Sequence, residues 1–292
     1  METSNWRVFV TVAERGSLSA AADELNLSQS GVSYSVKSLE DRTGCPLFVR
    51  HRRGVALTEP GSALLPLAHA LLNQEERLAQ GIAHLNGLAA GTVRVGTYAS
   101  AAATWLPQVL ARFRKRYPNI DVELAEGAAE EIEANLAGNA VDFAITSFRE
   151  RSGFEWIDLE IDRLVAVSRT DGSDTDASPF PLSTAGDTPL IVASTFYEHD
   201  VSQVLSSLGV QPSRVSLRSR DDRTIMELAR AGLGTALLFQ RVVEAGGTEG
   251  LVVRRTEPAV ARRVGIAIRS RAGASPAAQA LVRAIVKSFK KA

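Results

Sequence analysis

The chain has 292 residues, 45% of them hydrophobic and 23% charged, and its 33 basic side chains balance 33 acidic ones. Such a length exceeds the ~150 residues that one core usually organises, so two or more domains are expected, and the composition is that of a globular protein. A single cysteine, Cys45, excludes an internal disulfide and a cysteine-rich metal site, and zero net charge means that any nucleic-acid contact must rest on locally concentrated positive charge.

The first sixty residues read as short helices. Trp6, Phe9, Val10 and Ala13 recur at helical spacing, and Gly16 ends that run. Leu18, Ala21, Ala22 and Leu25 line the inner face of a second helix. Asn26-Leu27-Ser28 forms a tight turn, with Ser28 as the N-cap of a third helix that Gly44 terminates. On that third helix Val32, Val36 and Leu39 share one face. Gln29, Ser30, Ser33, Tyr34 and Lys37 lie opposite, and none of them is acidic. A face built for solubility mixes Glu with Lys, whereas this one suits entry into a major groove with its N-terminal residues toward base edges.

Two extended runs follow, 47–50 and 55–58, joined by His51-Arg52-Arg53-Gly54, a hairpin signal with a basic tip. Residues 28–58 hold Lys37, Arg42, Arg50, Arg52 and Arg53 against Glu40 and Asp41. This excess belongs to the helix and hairpin that would face a phosphate backbone. A long helix is expected from Glu59. Leu64, Leu71, Leu78 and Leu85 repeat every seven residues with Ala68, Glu75 and Ile82 between, a short coiled-coil seam that points to dimerisation, the alternative being packing on its own domain. Gly87 to Gly91 is a break rich in small residues and the best domain boundary.

Beyond it, strand and helix alternate. Strands are expected at 92–97, 120–125, 141–146, 164–167, 190–193, 215–217, 235–239 and 264–268. Helices are expected at 106–117, 130–137 and 276–289, and a polar loop at 171–178. This alternation implies open α/β sheets.

The residues Ala20-Ala21-Ala22-Asp23-Glu24-Leu25-Asn26-Leu27-Ser28-Gln29-Ser30-Gly31-Val32-Ser33 resemble the helix-turn-helix of the LysR-type transcriptional regulators. The resemblance continues through Leu39-Glu40, Gly44-Cys45-Pro46-Leu47-Phe48-Val49-Arg50 and Leu57-Thr58-Glu59-Pro60-Gly61. It extends to Gly91-Thr92-Val93-Arg94-Val95-Gly96, Leu106-Pro107, Arg116-Tyr117-Pro118 and Ala231-Gly232-Leu233-Gly234. It implies an N-terminal winged helix-turn-helix over residues 1–58, a linker helix and hinge over 59–90, and a two-lobed α/β effector domain over 91–292. That domain would be similar to periplasmic binding proteins, with lobe I at 91–161 plus 268–292 and lobe II at 162–267. Ser30 stands where the family usually has proline, and Tyr34 and Ser35 where basic or amide residues are common.

On this basis the DNA-binding residues are expected to be Ser28, Gln29, Ser30, Ser33, Tyr34, Lys37, Arg50, Arg52 and Arg53. Gln29, Ser33 and Tyr34 would reach base edges, and the cations phosphates. Ser100, at the start of the helix after the first effector-domain strand, suits an anion, the alternative being a helix N-cap alone. Thr146, Ser147, Thr195 and Phe196 are carried over from the family pattern as cleft residues for a polar or anionic small-molecule effector, and Gly127 either lets the backbone approach that effector or only makes a turn. Arg218, Arg220 and Arg223 alternate with Asp221 and Asp222; one reading pairs an arginine with a carboxylate effector, and the simpler reading is a surface ion-pair cluster. Cys45 is expected to be a packing residue.

The expected partners are double-stranded operator DNA, the effector, a second copy in a homodimer or homotetramer, and RNA polymerase. No membrane partner is expected, because no stretch approaches the ~18 apolar residues of a span. The start lacks a basic segment followed by an apolar run, so the expected location is the cytoplasm. The histidines His51, His69, His84 and His199 are scattered. There is no H-E-x-x-H, G-x-S-x-G or G-x-x-x-x-G-K-[ST] motif. An enzyme, a cofactor, a metal site and a plain binding protein are therefore not expected.

Overall fold

The computed structural model describes residues 3–51, 54–85, 90–150, 153–170, 178–185, 188–193, 201, 205–207, 209, 215–219 and 221–290. Three helices open the chain: α1 (Thr3–Arg15), α2 (Leu18–Leu25) and α3 (Gln29–Thr43). Their boundaries follow from local capping. The Ser17 hydroxyl accepts from the Ala20 N–H, Asn26 takes the left-handed conformation at φ 53°, and the Ser28 hydroxyl accepts from the Gly31 N–H. Gly44 closes α3 at φ 72°, a backbone that side chains with a Cβ avoid. Val32, Val36 and Leu39 of α3 are buried against α1 and α2 with Phe9, Val12, Ala21 and Ala22.

The hairpin β1 (Phe48–His51) and β2 (Gly54–Leu57) pairs antiparallel, Phe48 opposite Leu57. It is tied to the helices at two points. The Val55 N–H donates to the Gly16 carbonyl at 2.8 Å. The Glu40 carboxylate of α3 accepts from the Leu47 and Phe48 N–H groups at 2.7 and 3.2 Å, aligning the wing with the recognition helix. Glu40→Ala would orphan both donors. A loss of about 1–3 kcal/mol is expected, read by urea unfolding from Trp6 fluorescence in a Trp105→Phe, Trp156→Phe background. Cys45 packs beside Leu39 and Leu47, as a small apolar residue would.

The long helix α4 (Glu59–Leu85) does not present the expected heptad seam as one surface. Leu64 and Ala68 are taken up by the winged-helix core beside Phe9 and Leu47, and Glu75 bonds Thr3 and Arg7 of α1. The exposed apolar residues are Leu67, Leu78 and Ile82. One face of the first turns of α4 thus finishes the winged-helix core, while the exposed stripe starts beside it at Leu67 and continues to Leu78 and Ile82. The opposite flank docks on the effector domain. Arg94 donates to Glu76 at 2.9 Å and to Asn73 at 3.2 Å, and Gln80, almost fully buried, donates to the Thr92 carbonyl at 2.9 Å.

The effector domain begins with β3 (Gly91–Thr97), α5 (Ala99–Ala103), α6 (Leu106–Arg116), β4 (Ile120–Glu126), α7 (Ala129–Ala137) and β5 (Phe143–Ser147). Strand β3 lies parallel between β4 and β5. Then β6 (Glu155–Arg169) runs unbroken from one lobe into the other. The second lobe holds β7 (Phe180–Pro181), β8 (Leu190–Ala193), β9 (Val215–Ser219), α8 (Asp222–Arg230), β10 (Thr235–Phe239), α9 (Gln240–Gly246) and β11 (Leu251–Glu257). The chain returns through β12 (Ala261–Ile268) and ends in α10 (Pro276–Phe289). The main path is β4-β3-β5-β12-β6-β10-β8-β9, with β11 on β6 and β7 on β11.

Two features depart from the sequence-based expectation. Only 164–167 of β6 reads as a strand, because its first half alternates acids, Asp158, Glu160 and Asp162, that are matched by arginines of other elements. The return crossing also falls earlier than residue 268. Val264–Ala267 of β12 already pair with Ser147–Ala144 of β5 in lobe I, so the neck lies near residues 261–263. The lobe I core gathers Val93, Val95, Phe113, Phe143, Ile266 and Leu281, and lobe II buries Val167, Ile191, Ile225, Leu237, Leu238 and Phe239.

Candidate nucleic-acid interface and interlobe cleft

The outer face of α3 is as open as its pattern requires. Ser28, Gln29, Ser30 and Lys37 are exposed, Tyr34 is 76% exposed, and Ser33 is half-buried. Arg50 of β1 reaches Ser33 at 3.4 Å, so the wing base abuts the recognition face. Of the two acids near the C-terminal end of α3, Glu40 is occupied by the Leu47 and Phe48 amides, and Asp41 is exposed one turn beyond Lys37. Arg52 and Arg53 lie outside the described residues. What the described part presents is a ridge of hydroxyl, amide and phenol groups flanked by Lys37 and Arg50, a surface suited to base edges and phosphates.

The second site is the cleft between the lobes, a cavity of about 660 Å³. The ends of β3 and β4 supply Tyr98, Ser100, Glu126 and Gly127 on one side, and α8 and α9 supply Asp222, Met226 and Val242 on the other. Ser100 and Gly127 both line this cavity. Ser100, however, is the second residue of a five-residue helix whose N-cap is Tyr98, so little helix dipole stands behind it. Thr146 and Ser147 act on the cavity through Tyr98. The Thr146 hydroxyl and the Ser147 N–H both donate to the Tyr98 hydroxyl, at 3.1 and 3.0 Å. Ser147 also borders a second cavity of about 480 Å³ with Phe148 and Arg263. Thr195 and Phe196 lie outside the described residues.

The residue that sequence reasoning missed is Arg262, which lines both cavities. Its guanidinium lies 3.7 Å from the Phe239 ring centroid of lobe II and 5.1 Å from that of Tyr98 in lobe I. It bonds Asp162 at 3.0 Å, with only 10% and 2% of the two side chains exposed. Nothing in Ala261-Arg262-Arg263 distinguishes this arginine from its neighbour, which pairs with Asp158 nearer solvent.

The expected ion-pair cluster does not form among the described residues. Asp221 caps α8, accepting from the Thr224 hydroxyl and N–H at 2.7 and 3.1 Å. Burial pushes the Asp222 carboxyl above its ordinary range, against the opposing pull of Arg262. Arg220 lies outside the described residues. No group of three or more His, Cys, Asp or Glu residues among the described ones could hold a metal ion.

Residues 3–62 match the model of the bacterial regulatory helix-turn-helix proteins, lysR family, and residues 86–290 match that of the LysR substrate binding domain. The chain belongs to the lysR family. It is a LysR-type DNA-binding transcriptional regulator with an effector-binding domain, not an enzyme. Among its relatives, YvbU of Bacillus subtilis, an uncharacterized HTH-type transcriptional regulator, is 28% identical over 99% of both chains. The HTH-type transcriptional regulator CzcR of Bacillus thuringiensis is 30% identical over 83% of this chain and 79% of that one. The fold of this LysR-type chain is also that of full-length OxyR from Pseudomonas aeruginosa, at TM-score 0.73, 22% identity and coverage of 99% and 98%. It is likewise that of CbnR complexed with its target DNA, at TM-score 0.68, 21% identity and coverage of 99% and 100%. No helix among the described residues is long and apolar enough to cross a membrane.

Proposed function

We propose that this LysR-type regulator reads its operator with Gln29, Ser33 and Tyr34 of α3, anchored by Ser28, Ser30, Lys37, Arg50, Arg52 and Arg53 on the backbone, and that the interlobe cleft takes its effector. The observation that carries the DNA half is the exposed N-terminal outer face of α3, in which Ser28, Gln29, Ser30, Ser33, Tyr34 and Lys37 include no acid, with Arg50 at its edge. That CbnR, which shares this fold, was solved in complex with its target DNA supports the reading. The exposed stripe of Leu67, Leu78 and Ile82 is the surface for a second copy, in a dimer or a tetramer, and paired recognition helices then meet a pseudo-palindromic site. The protein works in the cytoplasm, where RNA polymerase is a further partner. Effector binding shifts the lobes only by its differential affinity for their two arrangements.

Gel shift on DNA immediately upstream of its own gene, with random competitor and at two salt concentrations, tests the reading. A discrete complex that survives competitor and weakens with salt is expected. Gln29→Ala should lose discrimination between operator and random DNA, whereas Arg50→Ala should weaken both alike and flatten the salt dependence. Equal binding of operator and random DNA by the wild type and Gln29→Ala would overturn the assignment of the α3 face.

A further inference from the structure

We infer that the ligand of the interlobe cleft is an organic cation bearing amine or guanidinium groups. This rests on the reading of that cleft as the effector site. The described lining carries four carboxylates, Glu126, Asp221, Asp222 and Glu227, against two guanidinium groups, Arg223 and Arg262. Existing partners leave Glu126 and Asp222 facing one uncommitted guanidinium, Arg223, an excess of one carboxylate. Arg262 is neutralised by Asp162 inside the neck and stacked on Phe239, so an anion would have to displace a buried carboxylate to use it. Asp221 is committed to the α8 cap and Glu227 to Arg230.

Glu126 and Asp222 remain, with no hydrogen bond or ion pair from their carboxylates among the described residues. They belong to opposite lobes, Glu126 to the end of β4 and Asp222 to the start of α8. When both are ionised, Glu126 and Asp222 oppose closure of an empty cleft, and burial already disfavours the charge on Asp222. A cation held between them removes that opposition and gives the closed arrangement the differential affinity it needs. A metal ion does not fit, since the carboxylates do not converge as a ligand set. A cavity of about 660 Å³, with Ala103, Ala193, Met226 and Val242 among its walls, accepts an extended molecule with a methylene spacer between charged ends.

Thermal shift and calorimetric titration of the full chain, with agmatine and putrescine against succinate and glutarate at equal ionic strength, test this. Four proteins are compared: wild type, Glu126→Gln, Asp222→Asn, and Ala103→Trp, whose indole would fill the cavity from an exposed position. The expected result is that the amines bind the wild type and the dicarboxylates do not. Affinity should fall about tenfold or more in Glu126→Gln and Asp222→Asn, and binding should vanish in Ala103→Trp. Glu126 is exposed, so its variant reports binding without a folding cost. Dicarboxylate binding that Ala103→Trp abolishes would overturn the ligand class and leave the cleft as the effector site. Amine binding that survives Ala103→Trp would overturn the cleft itself. Absence of any shift with either class at millimolar concentration also overturns the inference.

Discussion

Arg262→Ala is expected to cost about 3–5 kcal/mol, the range for removing one partner of a buried ion pair. The cause is local. Asp162 stays 2% exposed, loses both guanidinium N–H groups, at 3.0 and 3.3 Å, and keeps the Arg241 amide at 3.1 Å. The ring faces of Phe239 and Tyr98 lose the group stacked on them at the same time. In differential scanning calorimetry the effector-domain transition should fall by roughly 10 °C. The companion variant Arg262→Met with Asp162→Leu should recover much of the loss, because no buried charge is then left unpaired. A fall of less than about 2 °C in Arg262→Ala would mean that the neck is held by its strand ladder alone.

Ser33→Glu has the largest expected effect on DNA binding. Ser33 lies on the solvent side of α3 next to Arg50, and its hydroxyl is the only group it brings to that face. A carboxylate there faces phosphates and base acceptors and also draws Arg50 into an internal pair. A loss of specific affinity of about 100-fold, roughly 2.7 kcal/mol, is expected. Circular dichroism should be unchanged, because the buried face of Val32, Val36 and Leu39 is untouched. The comparison with Lys37→Ala is informative. Removing one phosphate contact should lower the slope of log affinity on log salt by about one, with operator preference intact. Ser33→Glu that binds operator within about threefold of wild type would place the recognition surface elsewhere.

Much of this regulator is legible in the linear chain. The three N-terminal helices, their caps at Ser28 and Gly44, and the hairpin after Leu47 follow from residue type over spans of three or four positions. Those signals are local, so propensity, capping and period agree with the final structure. The outer face of α3 is legible for the same reason: a helix of known phase with one apolar stripe leaves its other residues outside.

Tertiary structure decided what depends on partners far away in sequence. The polar first half of β6 becomes a strand only because Arg262 and Arg263, about a hundred residues on, answer Asp162 and Asp158. The α4 seam reads as continuous, yet the winged-helix core takes up Leu64 and Ala68, and of the described apolar seam residues Leu78 and Ile82 are exposed. Thr146 and Ser147 reach the cleft through Tyr98, forty-eight and forty-nine positions earlier, and Arg262 lines it with no motif to announce it. Local periodicity sets which face of an element is apolar. Which residues meet across a neck or a cleft is set by strand pairing and lobe packing, whose partners no short window of sequence contains.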